Sequence, residues 1–493
     1  MTSSAPPSAT LSELESALGK YQSVERLGAD VTVVDVHLDS RSVVPGCLYV
    51  AIRGARADGH DYIPEAIESG ATAVAVEQAN PTAIPQLVVQ DTRAALGWLA
   101  AETHGHPARR LRMVGITGTN GKTTVAHMMA SMTAGSPRKT AVIGTVSSNI
   151  PDVTESPRTT PEASNLQRML RRMVDLGTIT DVAIEVSSHA MDMGRVNGVA
   201  FDVVAFTNLS QDHLDYHHTM EAYYQAKARL FSKTWASRAV IWIDGPWGRR
   251  LAGETELPTT TVGTSPDADV RVVQRTTNPR GSEFDLVTDG GTYRVAIPVA
   301  GTFNVANAAI AATCSALIGI DLEAAVANIA AMDPIPGRYN TIDSAVGSWV
   351  VVDYAHTPDA IANVVAESRS HVPGRIIVVI GAGGDRDREK RPLMGRAAGT
   401  ADLVVVTDDN PRSEDPDKIV ADVVSGIQPG PEVVIERDRR LAIRHALLSA
   451  GADDAVLILG KGHETGQEFA DETLPFDDAA VARHEIVGLE STP

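Results

Sequence analysis

The sequence has little cysteine, a shortage of positive charge and no long apolar run. Only Cys47 and Cys314 occur among 493 residues. This excludes a disulfide-stapled scaffold and predicts inert packing thiols in a reducing compartment. No apolar stretch approaches the roughly 20 residues of a membrane helix. The opening MTSSAPPSAT has neither a basic cluster nor an apolar core, unlike an export signal. We therefore expect a cytoplasmic protein without a membrane span.

Acidic residues outnumber basic ones by 62 to 43, which gives a formal net charge of −19. Binding to nucleic acid depends on neutralising phosphates with Lys and Arg, so we expect no nucleic-acid partner. A local basic cleft can still hold a small anionic substrate. The hydrophobic fraction of 43% and the charged fraction of 21% are typical of a globular enzyme.

The length predicts about three domains, because a single core rarely serves so long a chain. Breaks rich in Pro, Gly and Arg occur at 104–111 and 333–340, and they divide the chain into predicted domains 1–107, 108–336 and 337–493. The second and third domains alternate apolar strands with helical stretches. The predicted fold class is α/β with three domains, a central P-loop-type parallel sheet and a C-terminal Rossmann-like sheet.

One helix of the second domain is well marked in TTPEASNLQRMLRRMVDLG. Pro161 suits the first helical position, and Gly177 is expected to end the helix. The predicted apolar face consists of Leu166, Met169, Leu170, Met173 and Val174.

The strongest local signal is ITGTNGKTT (116–124), which follows a predicted strand and opens a helix. Its glycines let backbone amides converge on phosphate oxygens, Lys122 adds positive charge and Thr123 can reach a magnesium ion. Ile116 stands where the strict pattern has its first glycine, so the loop is a variant. A glycine-rich turn that binds nothing is the alternative, which the strand–loop–helix context disfavours.

Polar residues also follow the next two predicted strands, where open parallel sheets place ligand groups. Glu185 ends one strand and suits magnesium, although a solvated or salt-bridged Glu is the common alternative. After the next strand come Asn208, Asp212, His213, Asp215 and His217. A loop that caps a helix explains Asp215 and His217 at least as well as ligation. Lys227, taken alone, has the pattern of an ordinary exposed lysine.

Three charged loops follow strands of the third domain, at 383–392, 408–416 and 460–467. Their side chains can converge on one small zwitterion, with guanidinium groups binding a carboxylate and an acid receiving the ammonium. The candidates are Arg386, Asn410, Arg412 and Glu464. Three solvated loops are the alternative.

Eleven ordered motifs resemble the Mur ligases of cell-wall precursor synthesis, and within them the MurE type. They are LDSRSVVPGCLYVAIRGARADGHDYI, GTNGKTT, RTTPEA, EVSSHAMDMGR, FTNLSQDHLDYHHTMEAYYQAK, GTFNVANAAIAA, PIPGRYN, VVDYAHTPDA, GGDRDREKRPLM, DDNPR and GKGHE. The resemblance implies an ATP-dependent, ADP-forming ligase. Its N-terminal domain would hold a uridine nucleotide, its central domain ATP with magnesium, and its C-terminal domain the incoming amino acid.

The resemblance also implies roles for individual residues. ATP contacts would be Gly118, Thr119, Asn120, Gly121, Lys122, Thr123, Thr124, Asn304, Arg338 and Asp353. Contacts to the UDP-N-acetylmuramoyl dipeptide would be Ser40, Thr159, Thr160, Ser187 and Arg195. The amino-acid pocket would comprise Arg386, Asp409, Asn410, Arg412, Gly460 and Glu464. Metal ligands would be Thr123, Glu185, His213 and a carbamoylated Lys227, and the catalytic residues Lys122, Lys227, His213 and Glu185.

The DNPR form of the pocket is associated with meso-diaminopimelate, whose distal carboxylate Arg412 can bind. Met193, where a glutamine is common, and Ala55 with Arg56 depart from the family pattern at the dipeptide and uridine sites. L-Lysine or another diamino acid, D-alanyl-D-alanine, a folylpolyglutamate-synthase-like ligase and a noncatalytic nucleotide-binding regulator remain the alternatives. We expect a monomer.

Overall fold

The computed structural model describes residues 7–54, 57–146, 158–344 and 347–490. Three main sheets follow one another along this part of the chain, and each is covered by helices. This confirms the α/β class with three domains, whereas the boundaries after 107 and 336 stay predictions. No helix among the described residues is both long and apolar enough to cross a membrane.

The N-terminal domain has a five-stranded sheet in the order β2-β7-β6-β5-β4, in which only β2 is antiparallel to its neighbour. Its strands are β1 (Ala9–Thr10), β2 (Val24–Leu27), β3 (Thr32–Val33), β4 (Asp35–His37), β5 (Cys47–Val50), β6 (Ala73–Val76) and β7 (Gln86–Val89), and its helices are α1 (Leu11–Leu18), α2 (Ile63–Glu68) and α3 (Thr92–Thr103). β5 and β6 read CLYV and AVAV and are buried throughout, as central parallel strands are.

The central domain has a nine-stranded sheet in the described residues, in the order β16-β15-β14-β13-β12-β11-β8-β10-β9. Its strands are β8 (Arg112–Thr117), β9 (Thr140–Ile143), β10 (Asp181–Glu185), β11 (Phe201–Phe206), β12 (Ala236–Trp242), β13 (Thr259–Gly263), β14 (Val270–Asn278), β15 (Gly281–Thr288) and β16 (Gly291–Ile297). Its helices are α4 (Lys122–Met132), α5 (Ala163–Leu176), α6 (Ser188–Asp192), α7 (Leu214–His217), α8 (Met220–Ala228), α9 (Pro246–Glu254), α10 (Thr302–Leu317) and α11 (Leu322–Ile329).

The central sheet departs from the predicted alternation in its last part. The strands β8 to β14 pair in parallel with one another wherever they are neighbours in the sheet. In contrast, β15 is antiparallel to both β14 and β16. The connections at 279–280 and 289–290 are too short for a parallel crossover and contain turn-forming Asn, Pro, Asp and Gly nearby. The expectation of strand–helix alternation up to about 335 was therefore wrong for 270–297.

Helix α5 forms where its periodicity predicts, but it starts later than expected. It begins at Ala163 with Glu162 as its N-cap, so Pro161 precedes the cap and does not occupy the first turn. Gly177 ends the helix at φ +66° as predicted, because a left-handed residue there is best supplied by glycine. Of the predicted apolar face, Val174 is half-buried and the other four side chains are buried.

The C-terminal domain has a six-stranded sheet in the order β17-β18-β22-β19-β20-β21, parallel except for β17, and a separate hairpin, β23-β24. Its strands are β17 (Asn340–Ile342), β18 (Trp349–Asp353), β19 (Ile376–Ile380), β20 (Leu403–Val406), β21 (Glu432–Ile435), β22 (Ala455–Leu459), β23 (Gly466–Glu468) and β24 (Thr473–Pro475). Its helices are α12 (Pro358–His371), α13 (Lys390–Ala398), α14 (Pro416–Gly426), α15 (Arg439–Ser449) and α16 (Asp478–Glu490).

The N-terminal and central domains approach each other at the level of the backbone. A Cβ at Gly97 on α3 would lie 2.4 Å from the carbonyl oxygen of Asn197, so only glycine fits there. The Asn197 side chain also donates to Ala94 O at 2.9 Å. A second contact joins Asp35 on β4 to Arg168 on α5 at 2.9 Å. These contacts bring the two domains together without intervening side chains at Gly97.

Candidate functional site

The loop between β8 and α4 has the strand–loop–helix context predicted for a phosphate-binding loop. Gly118 and Gly121 have φ of +147° and +90°, a region that L side chains rarely adopt. A Cβ at Gly118 would lie 1.9 Å from Thr207 Oγ1, and one at Gly121 would lie 2.4 Å from Asn307 Oδ1. Both strain and space therefore require glycine at these two positions. In the structure, the amides of Thr119 and Asn120 donate to the carbonyl oxygen and Oδ1 of Asn208 at 2.9 and 3.0 Å.

Two lysine amines meet at this loop. Nζ of Lys122 donates to the carbonyl oxygens of Gly118 and Thr119 at 3.0 and 2.9 Å. Nζ of Lys227, from α8, donates to the same Gly118 oxygen at 2.9 Å and lies 4.5 Å from the ring centroid of Tyr223. Lys227 is 1% exposed, so its interpretation as an ordinary surface lysine was wrong.

Burial, with the charge of Lys122 beside it, holds the pKa of Lys227 well below its usual 10.5. A cationic ammonium is unfavourable in such a place because it has lost its water and faces a like charge. The amine is therefore biased towards its neutral, nucleophilic form.

Glu185 ends β10 and is buried against the start of α4. Its Oε1 accepts hydrogen bonds from Thr123 Oγ1 at 2.9 Å and from the Thr145 amide at 2.8 Å. Arg338 Nη2, from the segment before β17, donates to the same Thr123 hydroxyl at 2.9 Å. A hydroxyl and a carboxylate at this spacing are oxygen donors of the kind that magnesium takes.

His213 lies farther along the site, at φ +55° before α7, with its Nε2 3.4 Å from Asp212 Oδ2. In the described parts of the chain, no three or more His, Cys, Asp or Glu side chains form a group that could hold a metal. The donor chemistry of Thr123 and Glu185 fits magnesium, while ligation by His213 and Lys227 stays a prediction.

A cavity of about 290 Å³ lies beside the loop, between the central and C-terminal domains. Among its lining residues are predicted ATP contacts from both domains: Asn120, Gly121, Thr124, Asn304, Arg338 and Asp353. Arg338 also stacks on Tyr354, with its guanidinium carbon 4.7 Å from the ring centroid. Asn304 also makes a contact within the protein, since its side-chain amide donates to Ala300 O at 2.7 Å. Most of the predicted nucleotide contacts thus surround one cavity.

A second cavity, of about 560 Å³, unites the two predicted substrate groups. From the central domain it is lined by Thr159, Ser187, Arg195 and His213, and from the C-terminal domain by Arg386, Asp409, Asn410, Arg412, Gly460 and Glu464. The hypothesis of three unrelated solvated loops is therefore wrong, because all three loops contribute to one cavity wall. Tyr354 borders both this cavity and the smaller one.

Behind the C-terminal-domain wall of the larger cavity lies a buried lysine that the sequence interpretation missed. Lys461 is fully buried, and its Nζ donates to Asn410 Oδ1 at 2.9 Å and to Glu464 Oε2 at 3.0 Å. Asn410 Nδ2 donates to the same Glu464 oxygen at 2.8 Å. The lysine belongs to the GKGHE motif, but nothing in the neighbouring sequence distinguishes a buried lysine from a solvated one.

The central and C-terminal domains are joined across the larger cavity by Asp212. Its carboxylate lies 3.0 Å from Nζ of Lys390 and 3.6 Å from Nε2 of His356, both in the C-terminal domain. Burial alone would raise the pKa of Asp212, but Lys390 and His356 outweigh it and hold that pKa well below 3.8. Lys390 and His356 were not predicted, since ion pairs between distant segments leave no local pattern.

Some predicted positions lie elsewhere or make unexpected contacts. Ser40 is buried in a short 3₁₀ helix of the N-terminal domain and lines neither cavity. The two ring nitrogens of His217 contact Ser188 and Asp192. These contacts fit a role in holding the loop and helix together better than they fit metal ligation.

Next to Thr159, which lines the larger cavity, Thr160 Oγ1 donates to the Glu185 carbonyl at 2.8 Å. Met193 Sδ accepts from Arg195 Nη2 at 3.1 Å, which gives this departure from the family pattern a direct contact with a predicted substrate residue. Ala55 and Arg56 lie outside the described residues.

Comparison with known families gives matches along most of the chain. "Mur ligase family, catalytic domain" matches residues 32–104, "Mur ligase middle domain" matches 116–315, and "Mur ligase, glutamate ligase domain" matches 337–462. The three segments correspond in order to the three sheets described above.

Among curated relatives, "UDP-N-acetylmuramoyl-L-alanyl-D-glutamate--2,6-diaminopimelate ligase" of Geobacillus thermodenitrificans is 42% identical over 92% of this chain and 95% of its own length. The protein of the same description from Streptomyces coelicolor is 42% identical, with 99% of both chains covered.

Solved structures give the same result. One of "UDP-N-acetylmuramoyl-L-alanyl-D-glutamate--2, 6-diaminopimelate ligase" has a TM-score of 0.67 and 35% identity and covers 93% of this chain and 96% of its own. The structure of MurF ligase from Thermotoga maritima in complex with ADP shares the fold, with a TM-score of 0.62 and 18% identity. The match covers 92% of this chain and 96% of the MurF chain. With relatives 42% identical over nearly its whole length, the chain belongs to the Mur ligase family.

Proposed function

We propose that this protein is an ATP-dependent ligase that adds meso-2,6-diaminopimelate to UDP-N-acetylmuramoyl-L-alanyl-D-glutamate. The product would be the nucleotide-linked tripeptide of peptidoglycan synthesis, formed with ADP and phosphate. The curated relatives carry the description of this reaction, and the DNPR and GKGHE loops suit a diamino-dicarboxylic acid. L-Lysine and other diamino acids are the amines against which the proposal is to be tested.

The observation that carries the proposal is the shared larger cavity. A ligase must bring an acid and an amine within bonding distance. Here Thr159, Ser187 and Arg195 line the same cavity of about 560 Å³ as Arg386 and the DNPR and GKGHE loops. The nucleotide cavity opens beside it, with Tyr354 bordering both. Acid, amine and phosphoryl donor can therefore occupy adjoining spaces.

In the first step the γ-carboxylate of the D-glutamyl residue attacks the γ-phosphorus of ATP, which yields an acyl phosphate and ADP. Both reactants are anions, so positive charge must be supplied at the loop. Lys122 would release the carbonyls of Gly118 and Thr119 and turn its amine to the phosphates, while Thr123 and Glu185 would hold magnesium. When bound, magnesium neutralises charge on the phosphate oxygens.

Lys227 is proposed to react as its neutral amine with carbon dioxide. The new N–C bond gives a carbamate, and one proton leaves to solvent. The low pKa caused by burial supports this step, because only the unprotonated amine is a nucleophile. The carbamate would replace the neutral amine with an anion in the neighbourhood of His213, which adds a fourth proposed ligand to the metal set.

In the second step the neutral amine of the amino acid attacks the acyl carbon. The bond from that carbon to the phosphate oxygen breaks, phosphate leaves, and the nitrogen loses one proton to the departing phosphate or to solvent as the amide forms. Asp212, bound to Lys390 and His356, holds the C-terminal domain against the central one during this step. Exclusion of water from the closed cavity would protect the acyl phosphate from hydrolysis. We further propose a cytoplasmic monomer, for which the two buried, unpaired thiols of Cys47 and Cys314 support a reducing compartment.

The test is ADP release with ATP, the muramoyl dipeptide nucleotide and one amine at a time from meso-diaminopimelate, L-lysine, L-ornithine and D-alanyl-D-alanine. We expect release and a new amide with meso-diaminopimelate, and loss of both in Lys122→Ala. Full activity of the Lys122 variant would contradict the phosphate-loop assignment, and preference for another amine would contradict the substrate assignment.

A further inference from the structure

Glu468 lies next to the predicted amino-acid contacts but belongs to none of the motifs discussed above. It ends β23 and lines the larger cavity together with Arg412. Its Oε2 accepts a hydrogen bond from Arg412 Nε at 2.6 Å. Two opposite charges therefore stand side by side on the wall that faces the amino acid.

The backbone fixes this pair in place. Arg412 N donates to Glu468 O at 3.0 Å, and Glu468 N donates to Asn410 Oδ1 at 2.9 Å. Arg412 has φ +54°, and its Nη1 donates to Gly384 O at 2.9 Å. The orientation of the pair is thus set by the loops and does not depend on the ion pair alone.

Both side chains retain hydrogen-bonding capacity towards the cavity. Within the described ranges, neither Nη2 of Arg412 nor Oε1 of Glu468 has a hydrogen-bond partner. The Glu468 side chain is 50% exposed and that of Arg412 is 22% exposed. A ligand can consequently approach a guanidinium donor and a carboxylate acceptor at the same point.

Glu464, the acid predicted to receive an ammonium group, is in a different electrostatic situation. Its Oε2 accepts from the fully buried Lys461 and from Asn410, and the same Lys461 amine lies 3.7 Å from Asp409, so one buried cation is shared by two carboxylates. Among the residues that the structure describes, Glu468 forms an ion pair only with Arg412. If Arg412 turns to a substrate carboxylate, the charge of Glu468 becomes available to a substrate cation.

We infer that Glu468 is a specificity residue that binds the second ammonium group of a diamino-dicarboxylic acid, while Arg412 binds the carboxylate on the same carbon. This assignment rests on the proposed function and adds a residue to its amino-acid pocket. One amino-acid carbon carries both charges, and the Arg412–Glu468 pair presents their complements side by side. L-Lysine offers only the ammonium, and 2-aminopimelate offers only the carboxylate.

The distal ammonium keeps its charge throughout the ligation. An interaction with it is therefore equally strong in the ground state and the transition state, and its loss should appear in KM and leave kcat unchanged. Removal of one charge-assisted hydrogen bond at a half-exposed position corresponds to a rise in KM of about tenfold.

The test compares Glu468→Gln with wild type on meso-diaminopimelate and on 2-aminopimelate. Glutamine keeps an oxygen for Arg412 Nε but removes the negative charge, so the loop can retain its structure. We expect KM for meso-diaminopimelate to rise about tenfold with kcat unchanged, and KM for 2-aminopimelate, or its Ki if it is not ligated, to stay the same. Glu472→Gln, at the exposed turn between β23 and β24, is the matched control and should leave both values unchanged.

An equal loss on both compounds would mean that Glu468 acts only by holding Arg412, and this would overturn the inference. An unchanged KM for meso-diaminopimelate would overturn it as well. If wild type releases no ADP with any amine, the proposed function fails, and the role of Glu468 fails with it. The Glu468 assignment alone would be refuted if wild type is active with meso-diaminopimelate and Glu468→Gln shows either an equal loss on both compounds or an unchanged KM for meso-diaminopimelate.

Discussion

Substitution of Lys390 by methionine should loosen the contact between the central and C-terminal domains. Lys390 and Asp212 are separated by 178 positions in sequence, yet their charged atoms lie 3.0 Å apart with side chains only 11% and 5% exposed. Methionine keeps much of the aliphatic length and removes the charge. Asp212 would then face the cavity with only His356 and the neighbouring His213 as partners.

The expected magnitude follows from the burial of the pair. Removal of one partner from a buried ion pair typically costs 3–5 kcal/mol, and the two remaining histidines favour the lower end, about 3 kcal/mol. If this energy stabilises the closed domain arrangement, kcat/KM should fall about 100-fold. The effect should be smaller on the affinity for ADP alone, since Asp212 and Lys390 line the larger cavity and not the nucleotide cavity.

The assay is steady-state ADP release for Lys390→Met, Asp212→Asn and the double variant. Because each single variant removes the same contact, the double variant should lose much less activity than the product of the two single losses. Lys418→Met, at a 75% exposed lysine of the same domain, is the control and should behave as wild type. Independent, multiplicative losses in a correctly folded double variant would refute the reasoning.

Three further predictions concern single side chains. Lys227→Ala should lose ligase activity, and small carboxylates such as formate should restore part of it by replacing the carbamate; no rescue with intact nucleotide binding would contradict the carbamate. Arg412→Ala should lower kcat/KM for meso-diaminopimelate by about 30-fold, and equal loss for L-lysine would contradict binding of the distal carboxylate. Glu414 hydrogen-bonds to the buried Arg391, which lowers the pKa of Glu414 from 4.5 to about 2. That contribution, about 3 kcal/mol, is present above pH 4.5 and lost as the pH falls towards about 2. In urea unfolding, Glu414→Gln should therefore be less stable than wild type at neutral pH, and the gap should narrow over that range; a constant gap would contradict the prediction.

The parts of the fold that the sequence predicted well depend on local chemistry. The loop at 116–124 was identifiable because glycine, a preceding apolar strand and a following helix are neighbours in sequence. Gly177 was likewise assigned correctly as the end of α5, since a left-handed C-cap needs glycine. The antiparallel strands β14–β16 were missed because their apolar residues resemble those of any strand, and only the short turns distinguish them.

The candidate site was harder to predict where burial depends on distant segments. Lys227 is buried against Gly118, which is 109 positions away, so nothing around Lys227 reveals its environment. Lys461 and Lys390 show the same limitation. Glu185 could be placed beside the loop only through the rule that parallel strands end at one edge, and its contact with Thr123 bears that rule out.

The backbone contact at Gly97 bears on how substrate length is recognised. A Cβ at Gly97 would lie 2.4 Å from Asn197 O, so α3 packs directly against the backbone of the central domain. Under the proposed function, the first two domains would bind the uridine end and the acyl end of the nucleotide at a fixed separation. A precursor one residue shorter or longer would then place its carboxylate out of register with Lys122, and we expect it to be a poor substrate.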